Sequence, residues 1–189
     1  MTKAQSLAGM RSALKWAGGK KKVVSEIASL LPTRGKKRLV EPFVGGGSVF
    51  LNLDFDEYLL VDMNHDLINL FNIIKNQPLQ FIADAHKFFN GDSNLPEKYY
   101  ALRNQFNQSK DQYERSLLFL YLNRHGYNGL CRYNKSGGYN VPFGRYKHPY
   151  FPKDELIHFS EKAKKATFIQ GDFETAFSQL KVNDVVYCD

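Results

Sequence analysis

A chain of 189 residues with 43% hydrophobic and 24% charged residues is ordinary for a soluble globular protein and long enough to bury a core. Two cysteines, Cys131 and Cys188, are too few for a disulfide framework and indicate a reduced, cytosolic protein. No apolar run approaches the ~18 residues of a membrane span, the N-terminus lacks a signal peptide's apolar core, and no repeat is present. The net charge of +7 points to a polyanionic partner.

In chain order, Lys15-Trp16-Ala17-Gly18-Gly19-Lys20 leads into a helix with Val23, Val24, Ile27, Leu30 and Leu31 on one face, ending at Pro32. A phosphate loop needs an earlier glycine and a Ser or Thr after the lysine; Lys21 stands there instead. A first strand, Leu39 to Glu41, runs into Pro42-Phe43-Val44-Gly45-Gly46-Gly47 and the start of a helix. Glycines in such a turn permit positive φ and the close approach of a ligand to the backbone, although ordinary turns contain them too. A second strand from Tyr58 ends in Asp62, 17 positions after Gly45, where doubly wound folds place the acid that grips ribose hydroxyls. The third glycine of a dinucleotide fingerprint is missing, with Phe50 or Leu51 in its place. A mononucleoside cofactor such as S-adenosyl-L-methionine therefore fits better than NAD.

Asp66 to Ile74 reads as helix. From there to Tyr150 the α/β rhythm gives way to segments rich in Phe, Asn and Gln, then to an apolar helix, Ser116 to Leu122, buried on most sides. Lys135-Ser136-Gly137-Gly138 reads as a turn between strands Leu130–Asn134 and Tyr139–Phe143, with Pro142 suited to an exposed position. From Arg115 to Lys153 there are seven Lys or Arg and no Asp or Glu. Tyr127, Tyr133, Tyr139, Phe143, Tyr146, Tyr150 and Phe151 are interleaved with them. Cations neutralise phosphates while flat rings stack on bases or wedge between them, so nucleic acid is the partner this segment fits. A solvated hairpin packing its rings on its own helices is the plainer alternative. The five histidines, His65, His86, His125, His148 and His158, have no metal-ligand spacing with one another or with either cysteine.

The rhythm then returns: helix Lys153–Lys165, strand Ala166–Gln170, helix Phe173–Leu180 and strand Val185–Cys188, reaching Asp189. Strands at both ends with a helical insert between them predict an α/β protein whose open sheet carries a second small domain.

These motifs resemble the DNA adenine-N6 methyltransferase (Dam) family, α class. Lys15 to Lys20 is similar to its Lys-Trp-x-Gly-Gly-Lys motif, and Glu41 to Ser48 to its Glu-Pro-Phe-x-Gly-x-Gly-Ser cofactor motif. Val61-Asp62-x-Asn64 resembles its ribose-binding strand end. Arg124 to Asn134 with Asn140 to Tyr146 resembles its DNA-reading hairpin. Gly46 departs mildly, since alanine is usual there. The resemblance implies a Rossmann-like S-adenosylmethionine-dependent methyltransferase sheet over residues 1–64 and 152–189, with a helical plus β-hairpin target-recognition domain over 65–151. It implies Trp16, Lys20, Phe43, Gly45, Gly47, Asp62, Asp172, Phe173 and Asp189 around the cofactor. Asp62 would take the ribose hydroxyls, Asp172 and Phe173 the adenine ring, and Lys20 would sit near the cofactor carboxylate. Tyr127 would wedge into duplex DNA, with Arg124, Asn128, Leu130, Arg132, Asn140, Pro142, Arg145 and Tyr146 near bases or phosphates and Lys15 reaching from the opposite side. Asp189 would be catalytic, on an adenine flipped from GATC. The resemblance further implies a monomer without metal, working at DNA in the cytoplasm of a bacterial or phage-infected cell. The family's catalytic motif is Asp-Pro-Pro-Tyr, and the sequence as given stops at its first letter, so the expectation for this exact chain is near-inactivity. Two other activities fit the same residues: cytosine-N4 methylation, and DNA binding without catalysis. An oxidoreductase is disfavoured by the glycine spacing.

Overall fold

The computed structural model describes residues 9–189 apart from 33, 34 and 36. Four strands, β1 (Arg38–Glu41), β2 (Glu57–Asp62), β3 (Ala166–Gln170) and β4 (Val185–Val186), form one parallel sheet in the order β3-β2-β1-β4. Their apolar runs are continuous because parallel strands are covered on both faces. Leu39, Tyr58 and Leu60 point to the larger core, whereas Val40, Leu59 and Val61 meet Ala176 of the short helix α8 (Phe173–Phe177) on the other face. The chain steps outward from β1 to β2 to β3, then returns to the far side of β1 for β4. The order therefore reverses at the β1/β4 boundary. Beyond the carboxyl ends of those two strands such a sheet leaves a crevice.

The other helices are α1 (Val24–Leu30), α2 (Ser48–Asn52), α3 (His65–Asn76), α4 (Pro78–His86), α5 (Pro96–Gln108), α6 (Gln112–His125) and α7 (Lys153–Ala163). Helix α3 starts where the Asn64 side chain accepts the Leu67 N–H, and buries Leu67, Leu70, Phe71 and Ile74 at helical spacing. Proline opens α4 and α5, at a position with no intrahelical N–H to lose. As expected, α6 is buried on nearly every side, from Leu118 through His125. One continuous cluster of buried residues joins the sheet to the inserted helices, from Leu39 through Phe71 and Phe119 to Tyr139. The insert thus shares its core with the sheet.

Several expectations need correction. In α1 and its flanks Val24, Ile27 and Leu31 pack against the core as their spacing suggested, but Val23 and Leu30 do not, Leu30 being 83% exposed. Helix α8 and strand β4 are shorter than expected. The two strands expected over 130–143 do not form: the segment doubles back with isolated bridges, Tyr133 to Tyr139 and Gly126 to Phe143. The reason is competition for backbone groups. Two cross-strand bonds do form, Asn134 N–H to the Gly138 carbonyl and Asn140 N–H to that of Arg132, but the Asn140 carbonyl accepts from Arg132 Nη2 and Pro142 has no N–H to donate, so the ladder goes no further; the outward-pointing groups of Tyr139 and Val141 bond to α5 instead.

Candidate functional site

The crevice at the β1/β4 boundary is a cavity of about 210 Å³ lined by the Trp16–Lys20 segment, by Glu41 and the glycine bend, and by Asp62, Tyr187 and Asp189. It is open at its mouth, and its chemistry is set by what each strand end presents. Gly45 has φ +48°, and a Cβ there would lie 2.8 Å from Trp16 Nε1. Glycine both permits this conformation and lets the indole lie against the bend. A Cβ on Gly46 would lie 2.8 Å from Trp16 Cβ, so glycine at this position also accommodates the tryptophan. Gly47, at φ +73°, precedes α2.

Asp62 holds the bend from the end of β2. One carboxylate oxygen accepts the Gly45 N–H and the other the Asn64 N–H, each at 2.9 Å. The expected acid is therefore at the cavity, and part of its acceptor capacity serves the backbone. Lys20 Nζ pairs with Asp189 Oδ2 at 2.5 Å and donates to the Gly18 carbonyl at 2.9 Å. The bond to Asp189 raises the lysine pKa. The N-terminal motif is thereby tied to the end of β4 across the cavity mouth. Phe43 is 50% exposed, and its ring lies 6.2 Å from Phe173, which flanks the cavity. Asp172 caps α8, accepting the Thr175 N–H. Among the expected cofactor residues, Trp16, Lys20, Phe43, Gly45, Asp62 and Asp189 line one space, whereas Gly47, Asp172 and Phe173 are not among its lining residues.

Glu41 was not singled out from the sequence. It is 2% exposed at the end of β1 and lines the cavity, and its Oε1 has no hydrogen-bond partner. Burial raises its pKa to about 8, against the opposing bond from the Phe50 N–H. A glycine bend against the Trp16 indole and an unpartnered buried carboxyl facing the space leave room and a polar contact for a compact ligand.

Along the recognition segment side chains alternate. Cys131, Tyr133, Tyr139 and Val141 point inward, whereas Leu130, Arg132 and Pro142 are exposed and Asn140 is half-buried. These four are among the residues expected near DNA. Arg132 donates to the Asn140 side chain and backbone at 2.8 and 3.2 Å. Tyr127 is 51% exposed on a turn beside the positive-φ Asn128, and Arg145 is exposed at φ +55°. Asn128 donates its N–H to Tyr146 Oη. Lys15 Nζ lies 3.6 Å from the Tyr146 ring centroid, joining the N-terminal motif to this face.

Arg124 requires correction. It is 8% exposed, with Nε donating to the Tyr150 carbonyl and Nη1 to that of Ala13, so it is not the exposed cation that the expectation of a DNA contact assumed. Burial lowers its pKa. Asn123 was also missed. Its amide donates to the Lys15 and Gly129 carbonyls and accepts the Lys15 N–H, bolting the N-terminal motif to the insert. No sequence signal marks it, because a polar residue inside an apolar helix ordinarily faces water. Among the described residues no group of His, Cys, Asp or Glu is placed to hold a metal, and no helix is long and apolar enough to cross a membrane.

Relatives named DNA adenine methylase are 54% identical in Vibrio cholerae serotype O1, 53% in Serratia marcescens and 52% in Escherichia coli K12, each over 179 residues. Each alignment covers 95% of this chain and 64 to 66% of the relative, so the chain spans about two thirds of their length. Residues 16–189 match the model of the D12 class N6 adenine-specific DNA methyltransferases. A match over that span, holding the cavity and the recognition segment together, means that the chain belongs to this family.

Proposed function

We propose that this chain binds S-adenosyl-L-methionine in the β1/β4 cavity and duplex DNA on the recognition segment, and serves transfer of a methyl group to adenine N6, in GATC. The observation that carries this reading is the placement of Asp189, Lys20, Asp62 and the Gly45 bend around one open cavity. The cofactor supplies, when bound, an electrophilic methyl group on a sulfonium.

The remaining work falls to side chains. Trp16 and the bend form an apolar wall, and Asp62 keeps acceptor capacity for ribose hydroxyls. Phe43 and Phe173 offer ring faces to an adenine. Lys20 is the cation available to a carboxylate, and the pair it makes with Asp189 must loosen as the site fills. Asp189 then accepts hydrogen bonds from the target amino group. That draws its lone pair out of conjugation and orients nitrogen for attack, so positioning supplies much of the rate. Inside the duplex this amino group is out of reach, hence the need for an extruded base. Tyr127 is the exposed wedge, and Arg132, Arg145 and Lys15 are the cations for bases or phosphates. The recognition role of 65–151 is functional rather than a separate fold. The setting is the cytoplasm, at the chromosome.

Two measurements test this. Trp16 is the chain's single tryptophan, so S-adenosyl-L-methionine should change its fluorescence saturably. Joined to the C-terminal third of the Vibrio cholerae relative, the chain should protect GATC-bearing DNA from a methylation-sensitive nuclease, and Asp189→Ala should abolish protection. Cofactor binding without methylation would leave a DNA-binding module, and N4-methylcytosine in the product would make cytosine the target.

A further inference from the structure

Beyond that reading, and resting on it, lies the question of what holds the recognition segment in register with the cofactor bend. One short segment, Asp62 to Asp66, touches both. On one side Asp62 accepts the Gly45 N–H at 2.9 Å. On the other, Asn64 Nδ2 donates to Cys131 Sγ at 3.3 Å, and Tyr133 Oη donates to Asp66 Oδ2 at 2.7 Å. Asp66 is 6% exposed and is fixed in turn by Arg115, whose Nε and Nη2 donate to its two oxygens at 2.9 and 3.0 Å. Cys131 and Tyr133 alternate with the outward-facing Leu130 and Arg132, so fixing the inner pair fixes the outer pair. Neither Cys131 nor Tyr133 lines the cavity.

We propose that Tyr133 and Asn64 are positioning residues: through Asp66 and Cys131 they set Leu130 and Arg132 at a defined distance from the cofactor bend. Target discrimination then depends on contacts that touch neither DNA nor cofactor. The Tyr133 hydroxyl is the sharpest point of test, because it binds a buried carboxylate while its ring packs edge-on against Tyr139 at 5.6 Å. Tyr133→Phe keeps the ring and removes the bond.

The test compares this chain with its Tyr133→Phe variant in three assays. Peptide-resolved alkylation reads Cys131, whose burial raises its pKa to about 11 and keeps the thiolate scarce, with the exposed Cys188 as internal reference. Tyr133 also bonds to the thiol and lowers its pKa, so losing the hydroxyl would by itself slow labelling; Cys131 labelling about 10-fold faster in the variant, with Cys188 unchanged, therefore reports release of the segment, the change expected for one lost bond to a charged group. Competition between a GATC duplex and one altered at a single base pair should show the preference reduced about 10-fold. Affinity for S-adenosyl-L-methionine, read by Trp16 fluorescence, should not change. A general loss of stability would instead weaken cofactor and both duplexes together, which would overturn the proposal. So would a preference for GATC that survives the substitution. If the unsubstituted chain shows no preference between the duplexes, the reading of the site fails, and this inference with it.

Discussion

Replacing Glu41 by glutamine should change how the stability of this chain depends on pH. In the folded state the carboxyl is neutral below about 8 because burial disfavours its charge; in the unfolded chain it ionises near its ordinary 4.5. Between those values the folded form holds a proton that the unfolded form has released. Stability therefore falls as pH rises from about 4.5 to about 8, by up to ~1.4 kcal/mol per unit, or ~5 kcal/mol across the window. For a chain of this size that corresponds to ~10–20 °C in melting temperature. The neighbouring groups are Lys20, Asp62, Tyr187 and Asp189 around the cavity and Tyr58 behind it. Lys20 stays charged throughout the window, since Asp189 raises its pKa above 10.5. Glutamine keeps the acceptor for the Phe50 N–H and cannot ionise. Melting curves from pH 4.5 to 8.5 should show the two proteins alike at the acid end and Glu41→Gln ahead at the alkaline end. Parallel curves would mean that the carboxyl is hydrated or paired, and would refute the argument.

Two further outcomes follow from the same geometry. Gly45→Ala adds a Cβ 2.8 Å from Trp16 Nε1 at a φ of +48°, costing ~1–2 kcal/mol in the backbone alone. It should shift the Trp16 emission and weaken S-adenosyl-L-methionine at least ~10-fold, the loss expected from a cofactor wall displaced by that much free energy; an unchanged titration would remove the bend from the site. Arg124→Ala and Arg145→Ala should part company. The first strips bonds from the carbonyls of Ala13 and Tyr150 and should destabilise by ~2–4 kcal/mol, seen as a lower melting temperature. The second should leave melting unchanged while weakening DNA binding and lowering its salt dependence by about one counterion.

What the sequence conveyed and what it concealed divide along a physical line. Helix α3 was readable because its apolar residues repeat with the helical period, and strands β1 to β3 because each carries a short, mostly continuous apolar run. The acid at the end of β2 was readable because its offset from the glycine turn is set by the length of one βα unit. Arg124 and Glu41 escaped for a shared reason: charge predicts exposure unless the surroundings are known, and these two are enclosed by segments distant in the chain. Ala13 and Tyr150 close over the arginine, and Trp16 and Tyr187 stand around the glutamate's cavity. The recognition segment failed in the opposite way. Its interleaved rings were read as facing nucleic acid, yet Tyr139 is buried and Tyr133, Phe143 and Phe151 pack against the core, and the pairing of its two arms stops where Arg132 Nη2 takes the Asn140 carbonyl. Its outward face is therefore held by only two cross-strand backbone bonds, Asn134 N–H to Gly138 and Asn140 N–H to Arg132, with the rest left to side chains rooted in the insert and in α3. A single hydroxyl such as that of Tyr133 consequently has more influence on the register of the segment than it would in a regular hairpin, where backbone bonds would carry the register whatever the side chain.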